Sequence, residues 1–355
     1  PIIALAKLIG EVIKLSVEAT SEAVKLAKEL DEVDNSNSNN SDKRFVKTAH
    51  FEGTVRGKSL EGFGVLQGAN GYYSGEFVNS KFEGSGTYSW TSGYRYQGSW
   101  KQGKRDGFGA LFSPDNVAIY LGEWKNDSRC GQGTSFTPSG SLQYIGQWVD
   151  DKRHGIGKNY WPDGFVSTDG QWENGTFVKG KFHYSPNQHP KQYGNIYEGT
   201  FKDWKFDTGV LTKKDGTRYE GTFLESKYEG KGILYYPEND PYERIKYEGS
   251  FSKGLRNGFG KEINKKGDEY EGYYENNARH GQGTLRFGKS GNVYEGPFVV
   301  GHLSGKGVLK LKGGGQYEGT WVQSVMEGEA ILTSANGKQE VHVFKGGARI
   351  DNKQQ

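Results

Sequence analysis

Tyr96-Gln-Gly98-Ser-Trp100, Tyr120-Leu-Gly122-Glu-Trp124 and Tyr144-Ile-Gly146-Gln-Trp148 are three copies of one pattern: an aromatic, any residue, glycine, any residue, a second aromatic. Upstream it appears as Tyr73-Ser-Gly75-Glu-Phe77. Downstream it returns as Tyr197-Glu-Gly199-Thr-Phe201, Tyr219-Glu-Gly221-Thr-Phe223, Tyr247-Glu-Gly249-Ser-Phe251 and Tyr270-Glu-Gly272-Tyr-Tyr274. Tyr294-Glu-Gly296-Pro-Phe298 and Tyr317-Glu-Gly319-Thr-Trp321 close the series, and weaker copies stand at Phe51-Glu-Gly53 and Thr168-Asp-Gly170-Gln-Trp172. The anchor glycines lie 22 to 29 residues apart. A second motif, Gly-x-Gly, follows at constant phase, its first glycine nine residues after the anchor, at 62/64, 84/86, 107/109, 131/133, 155/157, 230/232, 258/260, 281/283 and 305/307. A fixed period of this length is the signature of a repeat architecture.

Within a repeat, apolar residues alternate and turn pairs such as Ser92-Gly93, Asp163-Gly164 and Ser290-Gly291 precede the next anchor. Alternation around glycine-containing turns predicts one β-hairpin per repeat. The period of two puts Tyr96, Gly98 and Trp100 on one face of their strand, with Gln97 and Ser99 on the other. A glycine between two large rings leaves a gap that a ring from a neighbouring strand can fill. A hairpin is marginal alone in water, so stability has to come from stacked neighbours. Twelve hairpins give ~24 strands, a sheet on the order of 100 Å long.

Composition agrees with this reading. Of 355 residues, 55 are glycine and 49 are Phe, Trp or Tyr. Such a chain builds no thick aliphatic core, which excludes a doubly wound domain or a large helical bundle as its main body. The net charge of +3 gives no sign of a nucleic-acid binder. No apolar run approaches the ~18 residues of a membrane span. The single cysteine, Cys130, fits a reducing, cytoplasmic compartment.

The Tyr-Glu-Gly-x-Phe/Trp anchor, the period and elements such as Trp148-Val-Asp-Asp-Lys-Arg-His-Gly155-Ile-Gly157 resemble MORN repeats. The likeness runs over about residues 50–344. It implies a single-layer, elongated, twisted antiparallel sheet. It also implies a scaffold at membranes, cilia, cytoskeletal rings or junctions. In that family some members bind a partner helix in a groove, some pair through C-terminal repeats, and lipid binding has been proposed. The array is therefore set at 46–344, followed by a tail at 345–355.

Two further segments precede it. Leu8, Val12, Leu15, Ala19, Leu26, Leu30 and Val33 fall on a heptad stripe, which predicts an amphipathic helix over residues 1–33. Its face Leu8, Val12, Leu15, Leu26 and Leu30 has four expected uses: packing on its own repeats, forming a coiled coil with another chain, lying on a membrane, or none, as an unrelated fused segment. Residues 34–45 are Ser/Asn-rich and read as a linker.

Candidate chemistry is sparse. Glu198, Glu220, Glu248, Glu271, Glu295 and Glu318 recur at one phase, as a repeat feature does and a catalytic pair does not. His154 and His280 share a phase too, and His183 and His189 lack further ligands at metal spacing. The glycine pairs open no helix, so they cradle no phosphate. No enzyme, cofactor or metal is expected. Trp100, Trp124, Trp148 and Trp172 occupy one column, read either as plain packing or as the floor of a groove for an amphipathic helix. Lys104, Arg105, Arg129, Lys152 and Arg153 gather in equivalent turns. They read as a solvated edge that deters strand pairing or as an edge attracting anionic lipid. The irregular stretch around 165–215 (Thr168 for the anchor tyrosine, a Pro-containing insertion at 183–193) reads as a bulge or bend in the array, or as a partner site or hinge. The function expected is a non-catalytic scaffold that holds protein partners for cytoskeletal, ciliary or membrane-associated assemblies, with homodimerisation open. The alternative is a peripheral module on anionic phospholipid.

Overall fold

The computed structural model describes residues 43–47, 51–56 and 59–350. The predicted helix at 1–33 and all of the linker up to residue 42 lie outside them. Among the described residues there are 28 strands and no helix. The chain divides into two compact units, one ending at His154 and one starting at Gly155. In the first, antiparallel pairing follows chain order from Lys43–Lys47 to Leu142–Val149. In the second the same meander runs to Ala348–Arg349. The all-β antiparallel class expected from the repeats is what forms. The count exceeds ~24 because a strand at Lys43–Lys47 precedes the first repeat, strands at Gln339–Lys345 and Ala348–Arg349 follow the last, and one Gly-x-Gly strand is split into His302–Leu303 and Gly305–Lys310.

Two kinds of turn alternate. Longer turns such as the one at Gly93 lead into each anchor strand. Two-residue turns join the anchor strand to its Gly-x-Gly strand, with both residues at positive φ: Asn79 and Ser80 at 48° and 62°, Asn126 and Asp127 at 48° and 73°, Asn276 and Asn277 at 46° and 73°. These are type I′ turns, whose twist matches that of the strands. Asn and Asp tolerate this region better than most residues do. The second turn residue also stitches repeats together. Asp127 N–H donates to Arg105 O at 3.0 Å, and Asp127 Oδ1 accepts from Arg105 N–H at 3.0 Å. Asp151 and Arg129 make the same pair one repeat later.

The glycines form a row. Gly53, 64, 75, 86, 98, 109, 122, 133 and 146 pair in register across the first unit. In the second unit a row runs from Gly157 through 170, 180, 199, 209, 221, 232, 249, 260 and 272 to Gly283 and Gly296. Nine of the ten anchor tyrosines lie down on this row; at Tyr317 the row position opposite Gly319 is Ala330, whose methyl takes the place of the ring, and Tyr317 Oη bonds His342 Nδ1 at 3.2 Å instead. A Cβ on Gly86 would stand 2.2 Å from Tyr73 Oη, and one on Gly109 2.2 Å from Tyr96 Oη. The ring therefore covers the glycine of its own strand and that of the next: the gap at the second glycine of Gly-x-Gly is filled by a ring from the neighbouring strand, as the alternation suggested, and the gap at the anchor glycine by the tyrosine of its own strand. Flattening brings the hydroxyl to the carbonyl three residues on. Nine tyrosines make this bond, at 2.8–3.1 Å.

The two glycines of Gly-x-Gly have different causes. The second belongs to the row. The first sits at a bulge opposite the anchor strand, as at Gly84 and Gly131, with φ of 59° and 54°. Where Thr168 replaces the anchor tyrosine, the ring of Phe177 reaches over Gly180 instead and is fully buried.

Candidate functional site

The sheet of each unit has a ring face, carrying the tyrosines and the second aromatics, and a reverse face. On the ring face the anchor tyrosines from Tyr73 to Tyr294 meet their second aromatic edge-on, as Tyr96 meets Trp100 at 5.1 Å, and Tyr96 meets Trp124 of the next repeat at 5.4 Å and Tyr120 meets Trp148 at 5.5 Å in the same way. Trp100, Trp124, Trp148 and Trp172 are only 0–6% exposed. Each indole N–H donates to the carbonyl of a row glycine, Gly86, Gly109, Gly133 and Gly157, at 3.1–3.4 Å. The column is thus core. It presents no open groove of its own, because ring stacking along the repeats has already covered it.

A residue seven positions after each anchor glycine closes this core from the turn side. Phe82 stacks on Tyr73 at 3.8 Å, Phe206 on Tyr197 at 3.9 Å and Tyr228 on Tyr219 at 3.8 Å. In other repeats an arginine does the same work. Arg105 lies over Trp124 at 4.1 Å, Arg129 over Trp148 at 4.3 Å, and Arg153 over Tyr144 at 5.0 Å. Arg105 is also paired with Asp127 at 3.1 Å and Arg129 with Asp151 at 2.9 Å. Of the five residues expected on a basic edge, these three arginines are committed to the protein's own rings and acids. Lys104 and Lys152 remain exposed, without an ion pair among the described residues. Sequence reading missed this lid because charge was weighed before phase; the interchange of Phe, Tyr and Arg at one phase is the signal for it. Leu8, Val12, Leu15, Leu26 and Leu30 lie outside the described residues.

The strongest departure is a buried ion cluster. Glu262 stands where most repeats have an apolar side chain such as Leu285 or Leu309. It is bound by Arg256 and, at 2.8 Å, by Arg279. The insertion at 183–193 is tied back to the preceding turn: Ser185 Oγ and Asn187 Nδ2 donate to Asp163, and Trp161 Nε1–H donates to His183 O at 2.9 Å. Among the described residues no three His, Cys, Asp or Glu gather as a metal site. Burial, helped by Glu123, pushes the Cys130 thiol up from its ordinary value, away from a reactive thiolate.

The reverse face differs between the units. In the first, one row of paired positions reads Glu52, Val65, Ser74, Thr87, Gln97, Ala110, Leu121, Thr134 and Ile145, charged only at its start, where Lys47 pairs with Glu52 at 3.0 Å. In the second, the corresponding row reads Glu198, Val210, Glu220, Ile233, Glu248, Lys261, Glu271, Thr284, Glu295, and Val308 is flanked by Glu295 and Glu318. The recurring glutamates therefore line up across alternate strands. A depression of about 530 Å³ lies beside them, floored by Gly272, Gly283, Gly296 and Gly307. Glu271, Glu295 and Glu318 stand on one side, and Phe259, Tyr273, Gln282 and Lys306 on the other. The two rings, 5.6 Å apart, are 44% and 53% exposed. Lys310 holds Glu295 at 2.7 Å, whereas Glu271 and Glu318 have no ion pair among the described residues.

Ten segments match the family described as the MORN repeat: residues 51–71, 73–93, 96–117, 120–142, 144–166, 169–188, 219–240, 247–269, 270–291 and 317–339. Two solved structures were also compared. The TCP domain of Drosophila melanogaster SAS-4, in complex with a proline-rich motif of Ana2, is 11% identical over 54% of this chain and 85% of its own, with a TM-score of 0.28. A streptogramin B lyase is 11% identical over 72% and 81%, with a TM-score of 0.13. Likenesses this slight bear on neither fold nor function.

Proposed function

The chain belongs to the MORN-repeat family, and from that premise we propose a non-catalytic scaffold that binds a basic amphipathic helix of a protein partner on the reverse face of its second unit. The observation that carries this reading is the depression beside Glu271, Glu295 and Glu318, with the exposed pair Phe259 and Tyr273 opposite. Alternate strands are about 10 Å apart, close to the roughly 11 Å of two helical turns. Lysines or arginines at i, i+7 and i+14 would meet the three acids in turn, while apolar residues between them cover the two rings. Complementary charge of this kind speeds and orients binding more than it adds affinity. Such a scaffold would serve cytoskeletal, ciliary or membrane-associated assemblies.

The test is fluorescence anisotropy of a labelled amphipathic helical peptide carrying lysine at that spacing, titrated with the full chain. Binding is expected to weaken with salt and by at least tenfold in Glu271→Lys/Glu318→Lys; equal binding of a peptide with glutamate at those positions sinks the reading. The lipid-binding alternative is read by flotation with vesicles of anionic phospholipid. With three of the five edge cations engaged internally, the protein is expected to stay in solution. Flotation that Lys104→Glu/Lys152→Glu abolishes would favour the membrane instead.

A further inference from the structure

The strands that carry Glu295 and Glu318 hold a second feature on the same face. Val299 follows Glu295 by four residues on one strand, and Val322 follows Glu318 by four on another. An even separation keeps these side chains on the reverse face, while Phe298 and Trp321 beside them are buried on the ring face. Val299 and Val322 are 48% and 49% exposed. Val322 pairs with Val325, which is exposed as well. A valine wall therefore runs alongside the acids, at the turn end of the same strands.

The turn after Val299 extends this wall. Val300 opens it at φ 48°, with Gly301 next at 88°, and Val300 is 69% exposed. A β-branched residue in the left-handed region is an outlier. Its counterparts in other hairpins, such as Asn79, Asn126, Asp203 and Asn276, are polar. Neither burial nor turn geometry accounts for a valine at this tip, and local strain of this kind collects at functional sites.

Four residues of strand set the two walls about 13 Å apart. That is close to the roughly 10–12 Å width of an α-helix with its side chains, whereas an extended strand, ~5 Å wide, would reach only one wall. The residues midway between, Pro297 and Thr320, have short side chains. Lys306, exposed and paired with Thr320, stands on the valine side of the glycine floor. It repels cations from that wall and leaves them the glutamate side.

We propose that the partner helix carries two stripes: the cations that meet Glu271, Glu295 and Glu318, and along its opposite flank an apolar stripe, leucine or isoleucine, that packs on Val299, Val300 and Val322. This rests on the acidic depression as the place where the helix lies. The order of the two stripes around the helix axis then fixes the direction in which it crosses the strands. Reversing the helix would put leucines against the glutamates and cations against the valines and Lys306.

The experiment titrates the full chain into two labelled helical peptides with the same lysine spacing, one with leucine and one with serine on the flank away from the lysines. The leucine peptide is expected to bind about tenfold more tightly, the scale of one buried leucine, and Val299→Ser/Val322→Ser to remove that advantage. Val300→Asn is expected to weaken the leucine peptide by about threefold while raising the thermal midpoint, a combination that a merely structural residue does not give. Glu271→Lys/Glu318→Lys should weaken both peptides, which reads the acidic side separately. Equal binding of the two peptides to the native chain, or an advantage that survives in the valine variant, overturns this inference and leaves the acidic site in place. Binding of neither peptide overturns both. A dimer that Val299→Ser/Val322→Ser abolishes would overturn it in favour of a second copy of this chain as occupant. Flotation with phosphatidylcholine vesicles that Val300→Asn abolishes would overturn it in favour of a lipid surface.

Discussion

At the scale of the residue, the fold turns on a tyrosine lying flat over two glycines, and both partners are needed for a steric reason. At Gly260 a methyl would come 2.4–2.5 Å from the hydroxyl and ring of Tyr247. Gly260→Ala is therefore expected to expel that ring, as Ala330 has done to Tyr317, and to cost about 1–3 kcal/mol as overpacking does. Urea unfolding reads the loss, and a cost near zero would mean that the ring does not rest there. The lid position allows the opposite forecast. Phe82 and Arg129 hold the same phase and cover equivalent rings. Arg129→Phe should keep the cover over Trp148 but lose the bonds to Asp151, so it should cost less than Arg129→Ala, which loses both, in the same urea unfolding.

At the scale of the element, the hairpin is joined to its predecessor by the second turn residue. Asp127 gives Arg105 an acceptor for both N–H and Nε–H, at 3.0 and 3.1 Å. Asn277 keeps the first of these bonds to Arg256, at 2.9 Å. Asp127→Ala is expected to lose about 1.5–3 kcal/mol, the scale of hydrogen bonds to charged groups, and Asp127→Asn under half as much; equal losses by calorimetry would place the cost in the backbone. Glu262 is the second element-level device. Leucine fits its position elsewhere, yet Glu262→Leu strands Arg256 and Arg279 under their rings. Removing one partner of a buried ion cluster costs about 3–5 kcal/mol. Adding Arg256→Phe and Arg279→Phe should recover most of that in urea unfolding, because both are lid positions.

At the scale of the whole molecule, the row tyrosines act together at high pH. Burial pushes Tyr144, Tyr197, Tyr247 and Tyr294 up to about 12 and raises Tyr73, Tyr96, Tyr120, Tyr219 and Tyr270 further. In the unfolded chain each titrates near 10. Below about pH 10 both states are protonated and this contribution is complete. Above it only the unfolded chain ionises, so stability falls as pH rises through the folded values. Urea midpoints should drop steeply between about pH 10 and 12. Tyr144→Phe should shallow the slope, and midpoints that stay level over that range would contradict the burial of the rings.

How much of this was legible depended on distance along the chain. The anchors, their phase and the Gly-x-Gly pairs by themselves determined an all-β array of hairpins and the face of each side chain, because alternation is a local property of a strand. What covers a side chain was decided only by strands whose row positions pair 10 to 19 residues away and by turns one repeat further on. Trp148 looked available for a partner until Tyr120 and Arg129 were seen against it. Arg105 looked like a free edge charge until Asp127, 22 residues on, was beside it. The recurring glutamates were legible as a repeat feature, but their line-up beside Phe259 and Tyr273 required the register. Sequence set the period and the residue chemistry; tertiary packing chose which rings became core, which charges were neutralised, and where the methyl of Ala330 left a ring unseated.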